Sequence, residues 1–302
     1  MTRVLVVGAG VVGLTAAVRL LEAGHRVDVL ARDLPLETTS SVAAALWYPY
    51  RAFPFERVTG WSATGYQTFD RLARDEPESG VTMRPGVEFL RTPGDPWWAR
   101  AVPELRHLRD VPMPYADGLE FVAPIVETPI FLPYLAGRVE ALGGTITRLA
   151  LSCLPDHAEA VVNASGLGAR LLAHDPGVLP VRGQVARVSQ VGIDQWALDS
   201  GGLTFVIPRA QDVILGGTAE EGEWDRSPSD ELARGLLARA IELVPELSRA
   251  KVLGHRVGLR PARSEVRLER EDNVVHCYGH GGAGVTLAWG CADEVVRLVE
   301  EI

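Results

Sequence analysis

The chain begins with a short apolar run, Val4-Leu5-Val6-Val7, then a glycine cluster, then apolar positions at helical spacing, Leu14, Ala17, Val18 and Leu21. An unbroken apolar run is what a strand buried on both faces shows, and recurrence every three or four residues marks one face of a helix. Gly24 stops that helix and Arg26 to Leu30 reads as a second strand, so the pattern predicts strand, helix, strand. Further along, Leu135 to Leu142 reads as a helix ending at Gly143-Gly144. Ala160-Val161-Val162-Asn163 resembles a buried strand emerging into Ala164-Ser165-Gly166. Arg182 to Val188, Leu203 to Pro208 and Val213 to Gly217 are strand-like with turns between them. Ser229 to Leu243 predicts an amphipathic helix with Leu232, Leu236, Leu237 and Ala240 on one face, and another apolar helix starts near Val285. From Tyr48 to Pro133 the pattern gives way to prolines and aromatics, including Trp97-Trp98 and Pro112-Met113-Pro114-Tyr115, which predicts a second domain inserted into the first. Trp97-Trp98 is expected to serve packing or an interface patch. There is no internal repeat and no low-complexity linker.

Gly8-Ala9-Gly10-Val11-Val12-Gly13 stands at the first strand-to-helix junction. Each glycine there has a physical use: Gly8 for the tight turn, Gly10 for close approach of a pyrophosphate, Gly13 for close packing of helix on sheet. Phosphates at such a turn face free N–H groups and the positive end of a helix dipole. Thr38-Thr39-Ser40-Ser41 leading into Val42-Ala43-Ala44-Ala45-Leu46-Trp47 has two readings, another close backbone approach to a cofactor or a helix N-cap with a buried turn.

Composition narrows the picture. The length suits about two domains, and 47% apolar with 23% charged residues describes an ordinary soluble globular protein. With 30 basic against 39 acidic residues the net charge is −9, which argues against nucleic acid or an anionic membrane as a main partner. Cys153, Cys277 and Cys291 show no paired spacing, so a disulfide framework is not expected and a reducing compartment fits. The apolar start lacks a clear cleavage site and no apolar run is long and clean enough to span a bilayer. A cytoplasmic location is the expectation.

Two late segments carry more chemistry: Gly258-Leu259-Arg260-Pro261-Ala262-Arg263, and Tyr278-Gly279-His280-Gly281-Gly282-Ala283-Gly284-Val285-Thr286. The second repeats the logic of the first glycine turn, a helix N-terminus aimed at something electron-rich, or is simply a tight turn with positive-φ residues. Together with Gly8 to Gly13, Thr38 to Trp47, Val162 to Gly166, Arg182-Gly183-Gln184 and Leu215-Gly216-Gly217, these segments resemble the D-amino acid oxidase family over nearly the whole chain. That family is related to D-aspartate oxidase and, more distantly, to glycine oxidase.

The resemblance implies an α/β fold in which a Rossmann-type FAD-binding domain is interleaved with an α+β substrate domain built on a mostly antiparallel sheet. Residues 1–50, 134–180 and 256–302 are expected in the first, and 51–133 and 181–255 in the second. It implies FAD as cofactor, a small D-amino acid and dioxygen as partners, and oxidation to an imino acid, then to a keto acid and ammonia, with release of hydrogen peroxide. It leaves a homodimer open. By the family's pattern Gly8, Ala9, Gly10, Val11, Val12 and Gly13 hold the pyrophosphate. Arg32 and Asp33 meet the adenosine side, and either could touch the ribose. Thr39, Ser40, Ala44, Ala45 and Leu46 follow the cofactor, as do Gly166, Arg260, His280, Gly281, Gly282, Ala283, Gly284 and Thr286, with His280 acting through its backbone.

Arg260 would pair with the substrate carboxylate, since a guanidinium stays charged and presents a fork of donors matched to two oxygens. The Gly282 carbonyl would accept a hydrogen bond from the amine, so Arg260 and Gly282 are the expected catalytic pair. Arg263 is expected to be a solvated surface charge. Phe205, ahead of Val206-Ile207-Pro208, departs from the family's tyrosine and offers no hydroxyl. Either Arg260 then works with less help or another hydroxyl such as Tyr48 substitutes; both Phe205 and Tyr48 are expected to line the substrate pocket. The segment from Gln195 to Leu203 is too short for a long lid. Ala219-Glu220-Glu221 follows Gly216-Gly217-Thr218, and an acidic pair is a poor host for a second substrate carboxylate, which favours neutral or apolar D-amino acids.

No catalytic acid or base emerges. His276-Cys277-x-x-His280 lacks further convergent ligands, so no metal is expected, and His25, His107, His157, His174 and His255 have no readable partners. The rivals are a D-aspartate oxidase or glycine/sarcosine-type amine oxidase of the same fold, a flavin-binding protein without turnover, and an NAD-linked dehydrogenase.

Overall fold

The computed structural model describes residues 1–156 and 158–302, so His157 lies outside the described residues. One mixed sheet of 14 strands runs through the described residues. Its parallel part is ordered β6 (Thr145–Arg148), β2 (Arg26–Ala31), β1 (Arg3–Val7), β7 (Ala160–Asn163), β14 (Val274–His280). β13 (Val252–Glu271) then pairs antiparallel with both β14 and β8 (Leu179–Ser189). Beyond β8 follow β11 (Asp212–Gly216), β10 (Thr204–Pro208), β9 (Trp196–Asp199), β3 (Val81–Leu90), β5 (Asp117–Val126) and β4 (Arg106–Leu108), with β12 (Glu220–Glu221) pairing β8 off this path. In that part only β3 and β9 run parallel among the described strands.

The predicted opening unit is present. β1 lies inside the sheet between β2 and β7 with α1 (Val11–Glu22) packed on it, and it is buried on both faces, Val4 and Val6 on one and Val7 on the other. α1 ends at Ala23 and passes through Gly24, whose φ of +85° is the left-handed conformation that a helix stop favours. α6 (Gly284–Glu300) packs on α1, and α2 (Phe55–Asp75) packs on α6. α5 (Asp230–Leu243) starts as the pattern predicts, with the Ser229 hydroxyl accepting from the Leu232 N–H at 3.3 Å.

Three differences from the sequence pattern stand out. α3 (Thr128–Ala141) begins seven residues before Leu135; Pro129 falls in its first turn, where a missing N–H does no harm, and Pro133 lies inside it. The proline-rich stretch conceals α2, with Val58, Trp61, Phe69 and Leu72 on its buried face, as well as β3 and β5. The Trp97-Trp98 pair divides: Trp98 is packed edge-on against Trp47 while Trp97 is 38% exposed and stacks on Phe55. The boundaries expected at 133, 180 and 255 fall within α3, β8 and β13, each a continuous element. Among the described residues no helix is long and apolar enough to cross a membrane.

Candidate active site

The C-terminal ends of β1, β2 and β7 open into a cavity of about 1010 Å³ that runs from Arg32 and Asp33 past the first glycine turn to Arg260 and Gly282. At the turn, a Cβ on Gly8 (φ +116°) would stand 2.4 Å from the Ala164 carbonyl oxygen, and one on Gly13 would stand 1.9 Å from that of Gly8. Gly13 thus brings α1 onto the sheet and does not line the cavity, whereas Gly8, Ala9, Gly10, Val11 and Val12 do. The Ser40 hydroxyl accepts from the Val11 N–H at 3.1 Å, tying the second loop to the first turn of α1.

Arg32 and Asp33 both line the far end and bind each other at 2.6 Å, so they present a single joined donor and acceptor. Of the two readings of Thr38 to Leu46, the helix N-cap is not realised, because Thr38 makes no side-chain cap to the turn that follows. Thr39–Val42 is a short 3-10 turn, with the Thr39 hydroxyl donating to the Leu259 carbonyl at 3.1 Å. Thr39, Ser40, Ala44, Ala45 and Leu46 then line the cavity, Ala45 in the left-handed region at φ +58°. Gly166 lines it from the β7 side.

At the near end stands Arg260, half-buried on β13 opposite Val181 of β8. Two residues along β8 on the same face is Gly183, where a Cβ would lie 2.2 Å from Arg260 Nη1. The missing side chain is the groove in which the guanidinium lies. Nη1 donates to the Thr218 carbonyl at 2.9 Å, and no carboxylate among the described residues pairs with the guanidinium. Burial pulls its pKa down from the ordinary guanidinium value; of its ionisable neighbours Tyr50 favours the charge and Arg51 opposes it. A half-buried cation of this kind calls for an anion from outside the chain.

Tyr50 is the site residue that sequence reasoning missed. It lines the cavity, acts on the charge of Arg260, and touches Gly282 so closely that a Cβ there would lie 2.4 Å from Tyr50 Cδ1. Its position three residues past Trp47, within the proline-broken Tyr48-Pro49-Tyr50, was the available signal. Tyr48 also lines the cavity, but its hydroxyl donates to buried Glu88 Oε1 at 2.7 Å, so it is engaged away from Arg260. The tip of the Phe205 ring stands against Gly216 and Gly217, with a Gly216 Cβ position 2.0 Å from its Cζ. Leu198, Ser200 and Leu203 complete this end.

The profile of the family described as FAD dependent oxidoreductase matches residues 3–298. The D-amino-acid oxidase of Rubrobacter xylanophilus is 49% identical over 98% of this chain and 95% of its own length. The chain belongs to the FAD-dependent oxidoreductase family. The D-aspartate oxidase of Homo sapiens is 37% identical to this oxidoreductase over 99% of its chain and 95% of the human protein. Among solved structures, glycine oxidase from Geobacillus kaustophilus superposes with a TM-score of 0.84 at 20% identity, covering 100% and 95% of the two chains. FAD is therefore the cofactor of this oxidoreductase, and the cavity fits it. A side chain on Gly8 would strike the Ala164 carbonyl and one on Gly10 would crowd the Ser40 hydroxyl at 3.2 Å, so the turn stays bare backbone, and two helix N-termini, those of α1 and α6, border the same cavity.

Around the second glycine turn of this oxidoreductase, His280, Gly281, Gly282, Gly284 and Thr286 line the cavity, while Ala283 is wholly buried behind it. The Thr286 hydroxyl is held by the Tyr48 backbone, accepting from its N–H at 3.0 Å and donating to its carbonyl at 3.1 Å. Arg263 is not a solvated charge: its Nε binds Asp175 at 2.9 Å, and Asp175 also accepts from the Tyr278 hydroxyl at 2.9 Å. Burial pushes Asp175 up, but these bonds and the Gly177 N–H outweigh it and hold the carboxyl below its usual range. His107 has partners after all, Asp117 at 2.6 Å and Asp95 at 2.9 Å. His276 turns away from His280 toward Asn163 and Glu271, and the buried donors that gather are instead Cys277, His280 and Cys291.

Proposed function

We propose that this FAD-dependent oxidoreductase oxidises neutral and apolar D-amino acids to imino acids, which water converts to keto acids and ammonia, with dioxygen reduced to hydrogen peroxide. The observation that carries the reading is Arg260, a half-buried guanidinium without a carboxylate partner, beside Gly282 at the end of an FAD-sized cavity. The D-amino-acid oxidase relatives support the substrate class.

Arg260 binds the substrate carboxylate through its planar fork, and the Gly183 groove fixes the plane. The Gly282 carbonyl accepts from the amine. Tyr50, packed on Gly282 and acting on Arg260, supplies the hydroxyl that Phe205 lacks. With the amine neutral no protein base is needed, so the chain's contribution is orientation, worth several kcal/mol of the barrier. Two fixed polar points and a fixed α-hydrogen select one hand, because the other enantiomer would exchange its hydrogen and side chain. When bound, FAD would supply the two-electron acceptor for the α-hydride and the redox chemistry that reduces dioxygen. Gly8, Ala9, Gly10, Val11, Val12, Thr39, Ser40, Ala44, Ala45 and Leu46 would hold the cofactor along its length. Arg32 with Asp33 would meet its adenosine, and Gly166, His280, Gly281, Gly282, Gly284 and Thr286 its other end. Gly13 and Ala283 support these contacts from behind.

The preference for neutral side chains rests on the two acids after Thr218. Glu220 binds Arg182 at 2.9 Å and Glu221 binds Arg51, the arginine whose charge opposes that of Arg260, so neither of these two arginines is left free for a second substrate carboxylate. The exposed stack of Phe53, Phe55 and Trp97 supports a homodimer, and the free cysteines support a cytoplasmic location. The test is peroxide release from purified enzyme with D-alanine, a branched neutral D-amino acid, D-aspartate, glycine and L-alanine. Neutral D-amino acids should lead. Preference for D-aspartate or glycine would refute the specificity, and a flavin that no D-amino acid bleaches anaerobically would refute the activity.

A further inference from the structure

Three buried side chains beside the cavity have no part in the chemistry above. Cys277 lies on β14 and Cys291 on α6, and their sulfurs and a ring nitrogen of His280 all lie within 4.8 Å of one another. Cys277 Sγ stands 3.9 Å from His280 Nε2. Both cysteines are free thiols, and Cys277 and His280 line the cavity while Cys291 is fully buried behind them. The pair is asymmetric. A hydrogen bond from Cys291, reinforced by His280, draws the Cys277 thiol down from its ordinary pKa against the effect of burial, whereas burial and the neighbouring sulfur push Cys291 well up. Cys277, open to the cavity, is thus the more easily ionised sulfur and Cys291, behind it, the one that holds its proton, as in a nucleophilic and resolving pair.

We propose that Cys277 and Cys291 are a peroxide-oxidisable dithiol, closed to an intramolecular disulfide by the hydrogen peroxide released in the same cavity. The source of the peroxide rests on the function proposed above; the dithiol rests on geometry alone. The Cys277 thiolate attacks one oxygen of the peroxide, the O–O bond breaks, and the leaving hydroxide takes a proton to become water. Cys291 then gives up its proton and attacks the resulting sulfenic sulfur; the S–O bond breaks and a second water leaves. Two thiols and one peroxide yield one disulfide and two waters, the peroxide taking both electrons. The closed pair would join β14, which leads into Gly281-Gly282, to the helix whose N-terminus borders the cavity. A metal would need both thiols deprotonated, and only three donors converge among the described residues.

The experiment uses FAD-loaded Cys153→Ser enzyme, which removes the exposed thiol. It is treated with hydrogen peroxide without any amino acid, quenched with catalase, alkylated and digested. The expected result is a peptide pair linked through Cys277 and Cys291, the loss of two alkylatable thiols, and reversal by dithiothreitol. Cys291→Ser should instead give a dimedone-trapped sulfenic acid at Cys277. Both thiols still free after peroxide, over-oxidation of Cys277 without linkage, or zinc co-purifying on the two sulfurs would overturn the proposal. A second arm replaces added peroxide by turnover with D-alanine, where linkage that catalase suppresses supports the stated source. Linkage with added peroxide in a protein that no D-amino acid bleaches upholds the dithiol and sinks the substrate reading.

Discussion

Gly183→Ala isolates the position of Arg260 from its presence. The new methyl would stand 2.2 Å from Nη1 and 2.4 Å from both Cζ and Nη2 of Arg260, well inside van der Waals contact. Its neighbour is the far end of a flexible side chain, so the strand keeps its register with Gly258 and the guanidinium yields instead, by about 1 Å. A displacement of that size from a working geometry lowers rate about 100-fold, equivalent to about 2.7 kcal/mol of transition-state stabilisation. Stability should hold or rise, because alanine restricts the unfolded chain by about 0.4–1 kcal/mol relative to glycine. The assay is kcat/KM for D-alanine by peroxide release, with flavin content and Tm measured on the same preparation. A fall in kcat/KM with flavin and Tm retained supports the groove. Unchanged kcat/KM, or a loss of activity that merely follows a loss of Tm or flavin, would refute the reasoning.

Arg260→Met removes the guanidinium while keeping an unbranched side chain and should lower kcat/KM by the equivalent of about 2–5 kcal/mol, the range for a buried charge pair truncated on one side; unchanged kinetics would remove Arg260 from the site. Tyr50→Phe removes the hydroxyl that stands in for the one Phe205 lacks and should raise KM for D-alanine about fivefold, the equivalent of one net hydrogen bond, and an unchanged KM would show that this hydroxyl does not reach the substrate. Gly13→Ala sets a methyl 1.9 Å from the Gly8 carbonyl oxygen, a backbone clash that should cost at least about 1–3 kcal/mol and empty the enzyme of flavin, read by Tm and absorbance. Burial raises the Glu88 carboxyl above its ordinary value even though Tyr48 donates to it. The folded state therefore binds more protons than the unfolded one, and this group's contribution, complete below the ordinary glutamate pKa of about 4.3, fades as pH rises through the folded value. Glu88→Gln removes that slope, so its Tm should gain on the parent's as pH rises from the acid side; parallel curves would refute the shift.

The sequence alone determined what neighbours along the chain enforce. A run of valines ending in Gly8-Ala9-Gly10 specifies a buried parallel strand and a turn without side chains, because the steric rules involved reach only a few residues. The same holds for the stop of α1 at Gly24, the Ser229 cap and the second glycine turn before α6. The D-amino acid oxidase pattern, written in such local segments, was legible for the same reason. Proline obscures α2 in the sequence: Pro54 and its aromatic neighbours break the local pattern just ahead of the helical spacing of Val58, Trp61, Phe69 and Leu72. What the tertiary structure decided was partnership across the chain. Whether Tyr48 or Tyr50 serves Arg260 depends on Glu88, 40 residues from Tyr48, already holding the Tyr48 hydroxyl. Arg263 is paired because the fold brings Asp175 to it from 88 residues away, and Cys277 meets Cys291 because a strand and the next helix pack face to face. Arg260 itself needs an empty space on β8, which only the register of two strands puts within reach of its guanidinium. Such pairings are fixed by how the sheet closes, and short-range pattern carries no record of that.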